Sequence, residues 1–476
     1  MESFIKCGYI SHKGMGEADF LIVGAGPSGL AAADSLSKKG YSVILLDQGS
    51  SIDHRICKNA SVDRSKCTNC QPCNIHSGFG GAGGKSDGKL NLNPYIGKNL
   101  LNLIEGNSIE DKEKTAYDYI HKVDQFFIDC GAPIELKSKA DDPRAKELAK
   151  KARKLGLDYM LIDQKHIGSD KLIQVMKNMY ARLQSQTVNI ILRKEIADII
   201  FDNGSCLGVV LKDKSEIKAK HVLLGLGRRG EEFLKFLGKK YSLSLLPSPV
   251  DIGVRVETLN EVMEDLTSVT YDPKIRCGFW RTFCTNPSGF VVREQGDKFV
   301  TVNGHAEANR KSINTNFALL CTIELEKPKS DTYDYAALIA GLCSNAGGKK
   351  PLVQTIARFM EPRPHRSTIE EIFRYKGIRP TLTDVTPGNL FKVLTGEIFY
   401  GIRDAMEKLE ELAPGLCKEH NTLMYAPEIK FNAYLPKLDS CFQSEINNLF
   451  FIGDVSGRTG SIVTAAAMGF ILADKF

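Results

Sequence analysis

The chain has 476 residues and a net charge of +6, with 25% charged and 42% hydrophobic residues. This balance is ordinary for a globular protein, and the length suits two or three domains around a large core. The basic excess is small and spread along the chain, and its densest run, Arg144 to Lys154, reads as one exposed helix face, so no nucleic-acid partner is expected. No apolar run approaches the roughly 18 residues of a membrane span, and no signal-peptide pattern is present. Thirteen cysteines without a secretory signal point to a reducing cytoplasm, where clustered thiols bind metal or do redox chemistry more often than they form disulfides.

The first elements form one unit. Phe20 to Val23 read as a short apolar strand, and Gly24, Gly26 and Gly29 supply G-x-G-x-x-G at the turn into a helix from about Ser28 to Lys38. The first glycine permits the tight turn, the second lets the backbone approach a pyrophosphate, and the third lets helix and strand pack closely. The helix start, Ser28 included, directs its N–H groups and dipole at that anion. A second strand, Ser42 to Leu46, ends in Asp47, near the roughly 20-residue distance of a ribose-binding carboxylate.

A long loop follows, 48–100, rich in Cys, Gly and Asn; loops of this length inside compact domains are usually functional. Cys67, Cys70 and Cys73 make C-x₂-C-x₂-C, with Cys57 upstream. Four thiolates suit an iron–sulfur cluster such as [4Fe-4S], or a tetrahedral zinc site. The pair Cys67 and Cys70 also suits a redox dithiol. Gly78 to Leu90 then carries Gly80, Gly81, Gly83, Lys85, Asp87 and Lys89. Helical patterns come at about Ile109 to Cys130, Arg144 to Leu155 and Asp170 to Gln184. Short strands follow at Asn189 to Leu192, Ile196 to Phe201, Cys206 to Leu211 and His221 to Gly225.

Gly225, Gly227 and Gly230 repeat the glycine spacing, but no clean strand with a terminal acid follows them. A structural crossover loop against the cofactor is therefore expected there rather than a nicotinamide site. From Val250 to about Glu324 the pattern is strand-rich, and from about Asp331 to Leu416 mostly helical. The first domain is expected to resume at about Leu423. Leu449 to Ile452 read as a buried strand, then come Gly453 and Asp454, then Gly460, Ser461 and Ile462 at the start of an apolar helix.

This closing motif resembles that of FAD enzymes with the glutathione-reductase type of fold, where the aspartate binds the ribityl chain and the helix start faces the flavin. The expected fold class is α/β: a split Rossmann-like FAD-binding domain with an inserted mixed α+β cap or substrate domain. The boundaries are 1–249 and 423–476 for the FAD domain and 250–422 for the insertion.

The run Gly78-Phe-Gly80-Gly81-Ala-Gly83, with Ser86-Asp87-Gly88-Lys89-Leu90, resembles a family of uncharacterised FAD-dependent dehydrogenases. The resemblance extends to His166-Ile-Gly-Ser-Asp170, Ile252-Gly-Val-Arg-Val-Glu257, Arg281-Thr-Phe-Cys-Thr-Asn-Pro287, Asn303-Gly-His305, Asn314-Thr-Asn-Phe-Ala318 and Pro427-Glu-Ile-Lys-Phe431. The segment around Cys57 looks like the cysteine-bearing branch. Lys58 stands where that branch would have proline, and Arg458-Thr-Gly460 stands where an arginine–glycine pair is usual.

In such an enzyme the flavin carries the hydride chemistry, and the protein supplies orientation, a proton donor and electrostatics. Lys85, Asp87, Lys89, Arg281, His305 and Lys430 are the candidates. A lysine would stabilise an anionic reduced ring, Arg281 would bind a carboxylate through two parallel hydrogen bonds, and His305 would act as general acid. Cys284 and Glu428 lie in the same motifs; a buried structural cysteine and a Glu428–Lys430 pair are the plainer alternatives. The expected reaction is reduction of an activated double bond of a small organic substrate, or the reverse dehydrogenation. Electrons would enter through the cluster or a protein donor. A thiol–disulfide oxidoreductase, or a zinc-stabilised flavin protein without turnover, is the alternative.

Overall fold

The computed structural model describes residues 18–57, 70–227, 230–295, 299–306, 310–325, 332–374, 377–431 and 434–476. Two β-sheets organise them. Phe20, Leu21, Ile22 and Val23 present apolar side chains to both faces, so this strand must be covered on both sides. Ala18–Val23 pairs in parallel with Val43–Asp47 on one edge and with Glu216–Leu224 on the other. Asn189–Leu192 extends the parallel set beyond Val43–Asp47, and Leu449–Phe451 adds to Glu216–Leu224. Glu216–Leu224 has two jobs. Its second half joins the parallel sheet, and its first half pairs antiparallel with Ser205–Leu211, which pairs with Ile196–Asp202.

Helices Pro27–Lys38, Ile109–Asp129, Ser169–Ser185 and Ile462–Ala473 share a core with one face of this sheet. The terminal helix is apolar all round and its residues Val463 to Ala473 are buried, as such a helix requires. It lies directly on the first helix, because a side chain at Gly469 would strike the Ser28 carbonyl. The helix Glu231–Tyr241 was not anticipated, although Glu231 and Glu232 in its first turn and Lys239 and Lys240 in its last match the helix dipole.

The second sheet is mainly antiparallel. In spatial order it runs Thr386–Pro387, Leu352–Thr355, Thr422–Lys430, Val250–Leu259, Asn314–Ile323, Trp280–Asn286, Ile275–Cys277 and Asp158–Tyr159. Two of these strands depart from the expected chain order. Thr422–Lys430 belongs here, paired with Val250–Leu259 and Leu352–Thr355, so the chain returns to the first sheet at Leu449 and not at 423. Asp158–Tyr159 reaches across from the first segment to cover Ile275–Cys277. A two-residue edge strand carries almost no pattern of its own, so only pairing reveals it. A separate small ladder, Lys89–Asn91 with Gln164–His166, carries Lys89 and His166 on neighbouring strands.

Candidate functional site

The first strand, the first helix and the terminal helix build a cradle. Gly24 has φ +112, and a side chain there would strike the Gly225 carbonyl. A side chain at Gly29 would strike the Gly24 carbonyl. Gly26 differs: a Cβ built on it meets no atom within 4 Å. It points into open space ahead of a helix start that has no acidic residue in its first turn and no side-chain cap. The N–H groups of Ser28 and Gly29 are therefore left for an anion.

The glycine-rich loop closes over this cradle. A Cβ on Gly81 would sit 2.8 Å from the Gly26 Cα, and one on Gly83 would sit 3.1 Å from Pro27 Cγ and 3.2 Å from Ile462 Cγ1. Gly80 adopts φ +93 and Gly227 φ +63. Gly453 packs on Ser28, where a Cβ would lie 2.5 Å from the hydroxyl. Asp454 accepts a hydrogen bond from Thr459 Oγ1 at 2.7 Å. Ser461 caps the terminal helix reciprocally with Thr464, and Gly460 donates to Thr464 Oγ1 at 3.4 Å. Two helix starts and two glycine turns thus meet in one place.

Asp47 has a defined role that its sequence position does not reveal. Its carboxylate accepts from the backbone N–H groups of Ala25 at 2.9 Å, Gly49 at 2.8 Å and Gly78 at 2.8 Å. It ties the dinucleotide turn to the glycine-rich loop. Arg55 braces the long loop internally. Buried, it donates to the carbonyls of Asn74, Phe79 and Ile75 at 2.9, 2.7 and 2.7 Å. Burial pulls its pKa down to about 10, against the opposing charges of Asp47 and Cys73.

Cys57, Cys70 and Cys73 are half-buried, and Cys67 lies outside the described residues. Among the described residues no three His, Cys, Asp or Glu side chains gather as a metal-binding set.

The candidate catalytic residues separate into groups. Lys85 lies near Arg55 and Asp53, and burial lowers its pKa, helped by Arg55. Arg281 is paired with Asp251 at 2.5 Å and with Thr322 Oγ1 at 2.7 Å, so its guanidinium already has an anion. Lys98, in the loop that packs on the terminal helix, donates to the Gly457 carbonyl. Burial lowers its pKa, with Asp251 and Asp454 opposing. His305 ends the hairpin strand Val300–His305, in register with Phe290.

Asp87 and Lys89 do meet. Lys89 Nζ lies 3.4 Å from Asp87 Oδ2 and 3.7 Å from Asp272 Oδ2. It donates to the Thr285 carbonyl at 2.6 Å and to Asn286 Oδ1 at 3.1 Å, with Cys284 Sγ at 3.8 Å. Burial works against its charge, but Asp272, Asp87 and Cys284 outweigh burial and hold the ammonium above its ordinary pKa. Lys274 pairs with Asp272 at 2.7 Å.

Lys430 belongs to an adjoining network. It sits 2.9 Å from Glu428 Oε1, and Glu428 takes both arms of the buried Arg255 at 2.7 and 2.6 Å. Arg255 also donates to the Cys284 carbonyl at 2.9 Å, as does Asn286 at 2.8 Å. Cys284 therefore joins the two networks. It sits where the pairing register of Trp280–Asn286 shifts, with φ +49, a conformation that costs energy for any residue with a side chain.

Sequence reasoning missed Arg255, Tyr271, Asp272 and Lys274 as site residues. Arg255 carried a signal, since charges at 255 and 257 alternate with valines in a strand buried from Ile252 to Thr258. Asp272 carried none, because only the fold brings it to Lys89.

The described residues contain no helix long and apolar enough to cross a membrane. The family described as NAD(P)-binding Rossmann-like domain matches residues 22–54. An uncharacterised protein of Clostridium beijerinckii (strain ATCC 51743 / NCIMB 8052) is 23% identical over 488 residues, covering 95% of this chain and 80% of its own. Among solved structures, a 3-ketosteroid-Δ4-(5α)-dehydrogenase from Rhodococcus jostii RHA1 is 12% identical, with 98% of this chain and 96% of that chain covered and a TM-score of 0.40. A fructosamine oxidase from Aspergillus fumigatus is 14% identical, with 96% and 85% covered and a TM-score of 0.39. A glycine oxidase from Bacillus cereus ATCC 14579 is 11% identical, with 96% of both chains covered and a TM-score of 0.36. Neither reaction nor substrate is carried over from likenesses at this level.

Proposed function

We propose that the chain is an FAD-dependent oxidoreductase acting on a small organic substrate. The observation that supports this best is the open cradle at Gly26, faced by a helix start without a side-chain cap and closed by the Gly453–Ile462 turn. A nicotinamide domain has no use for that second turn. In this reading Gly24, Gly26, Ser28 and Gly29 hold the pyrophosphate, with Gly225 and Gly227 beside them. Asp454 and Gly460 to Ile462 hold the ribityl and ring end, and Gly80, Gly81 and Gly83 cover it. Asp47 contributes by fixing the two turns. The proposed division is an FAD-binding segment at 1–249, an insertion that begins at 250 and takes in Thr422–Lys430, and a closing FAD-binding segment beyond it.

Bound flavin supplies hydride transfer, and the side chains of the chain supply the rest. Asp87 and Lys89, with Lys430 behind them, form the polar wall against which the substrate is oriented. Reduction of an activated double bond, or its reverse, is the reaction class proposed. Acid precipitation of the purified protein should release yellow FAD; released FMN, or no flavin, sinks the proposal.

An iron–sulfur centre on Cys57, Cys67, Cys70 and Cys73, delivering electrons alongside a protein donor, is the finer part of the proposal. Its support is the C-x₂-C-x₂-C spacing and the anchoring of the loop by Arg55. Iron and sulfide together in anaerobic preparations, lowered by each Cys→Ser change, are expected. Stoichiometric zinc without iron would instead make the loop a structural clamp.

A further inference from the structure

An arginine taken partly out of water normally brings an anion or a carbonyl with it. Among the described residues, the arginines that are not exposed obey this rule with one exception. Arg255, Arg281, Arg182, Arg293 and Arg358 hold carboxylates, and Arg55 and Arg403 hold backbone carbonyls. Arg458 is half-buried, and its guanidinium has no hydrogen bond or ion pair with them. Burial lowers its pKa, and no neighbouring charge acts against that. No nitrogen of the group is sealed from solvent, so it borders space that a ligand can enter. Its backbone is held in place. Ser456 Oγ donates to the Gly453 carbonyl at 2.6 Å and accepts from the Arg458 N–H at 3.2 Å. The Gly457 N–H donates to the Asp454 carbonyl at 2.9 Å, and Thr459 Oγ1 donates to the Asp454 carboxylate at 2.7 Å. The back of the turn is closed, since a Cβ on Gly457 would lie 2.1 Å from Leu435 Cδ2. A fixed turn thus carries an accessible cation that nothing in the protein engages.

We infer that Arg458 binds a carboxylate of the substrate, which makes the substrate an organic acid. The inference rests on the flavin reading, in which the turn from Gly453 to Ile462 holds the ribityl and ring end of FAD. In that reading the pyrophosphate lies at the start of the first helix, so it is not the anion that Arg458 awaits. A guanidinium offers a carboxylate two parallel N–H groups. Charge favours a monoanion. Lys98, a second cation at this turn, donates to the Gly457 carbonyl, and the Asp454 carboxylate is engaged by Thr459. Arg458 therefore supplies a single positive charge, which a carboxylate neutralises and a phosphate dianion does not. Arg281 was the carboxylate-binding candidate by sequence, and its pairing with Asp251 leaves that task to Arg458.

The test titrates the holoprotein with benzoate and with benzamide, its uncharged counterpart of the same shape, followed by calorimetry and by flavin absorbance. Benzoate should bind saturably and shift the flavin bands, with benzamide weaker by about tenfold or more. Arg458→Met should weaken benzoate by about tenfold or more. Its FAD content and melting temperature should stay at wild-type values, because the guanidinium it removes has no partner inside the protein. Benzoate no tighter than benzamide, no saturable binding, or benzoate affinity kept in Arg458→Met would overturn the inference. Benzoate binding that leaves the flavin bands unmoved would put the anion away from the ring and overturn the substrate role. Loss of FAD from Arg458→Met would assign the guanidinium to the cofactor and overturn it too. A preparation without flavin that still binds benzoate through Arg458 would sink the flavin reading alone, and the anion site would stand.

Discussion

Replacing Gly26 by valine separates cofactor binding from folding. The backbone at Gly26 has φ −79 and ψ 179, an extended conformation open to any residue, and no atom lies within 4 Å of the position a Cβ would take. The protein without cofactor should therefore keep its stability to within about 1 kcal/mol. The valine methyls would instead fill the space ahead of the Ser28 and Gly29 N–H groups. Loss of two hydrogen bonds to a charged pyrophosphate, about 1.5–3 kcal/mol each, amounts to roughly 3–6 kcal/mol, or about 10²- to 10⁴-fold in Kd. Gly29→Ala is the contrasting change. Its methyl would collide with the Gly24 carbonyl, so both melting temperature and cofactor should be lost. The assays are the FAD-to-protein ratio, calorimetric titration of stripped protein with FAD, and thermal melts of the stripped forms. Wild-type FAD affinity in Gly26→Val, or a melting loss equal to that of Gly29→Ala, would refute the reasoning.

Asp454→Ala removes a carboxylate that Thr459 already engages, and FAD affinity measured by the same titration should fall by about 1–3 kcal/mol; unchanged affinity would make Gly453-Asp454 an ordinary turn. Glu428→Ala leaves the buried Arg255 without its anion and should cost about 3–5 kcal/mol in urea unfolding, whereas a cost below 1 kcal/mol would mean water reaches the guanidinium. Acid should act through Asp34. Burial raises its pKa, but hydrogen bonds from Arg182, Lys38 and Gln186 outweigh burial and hold the carboxyl below its ordinary value. A depressed folded-state pKa contributes stability that is complete above the unfolded value of about 4 and fades as pH falls through the folded one. The urea-midpoint gap between wild type and Asp34→Asn should therefore narrow as the pH falls below about 4, and a constant gap would assign the effect to packing.

Local rules made one half of this protein legible in its sequence. The turn Gly24 to Gly29, the strands around it and the apolar terminal helix depend on short-range demands: a tight turn, a close helix contact, an all-apolar surface that must be buried. Residues near in sequence meet those demands, so the pattern names the element and its neighbour. Two helix starts were equally readable, at Ile109 after Ser108 and at Ile462 after Ser461, while the short helices capped by Thr355 and Thr368 were not.

Tertiary structure decided the rest. Asp47 stands where a ribose-binding acid is expected, yet the N–H groups of Ala25 in the dinucleotide turn and of Gly49 and Gly78 in the long loop converge on it, and no spacing in the sequence encodes that convergence. Arg281 has the right chemistry for a site, but Asp251 claims it. Asp87 and Lys89 were visible as candidates, while their meeting with His166, Tyr271, Asp272 and Cys284 was not. Those six residues come from the ladder of Lys89–Asn91 with Gln164–His166, from the approach to Ile275–Cys277 and from the register shift in Trp280–Asn286. Burial makes a charge there affordable only with a partner in reach, and which partner is in reach is a property of strand pairing, fixed by how the two sheets close on each other.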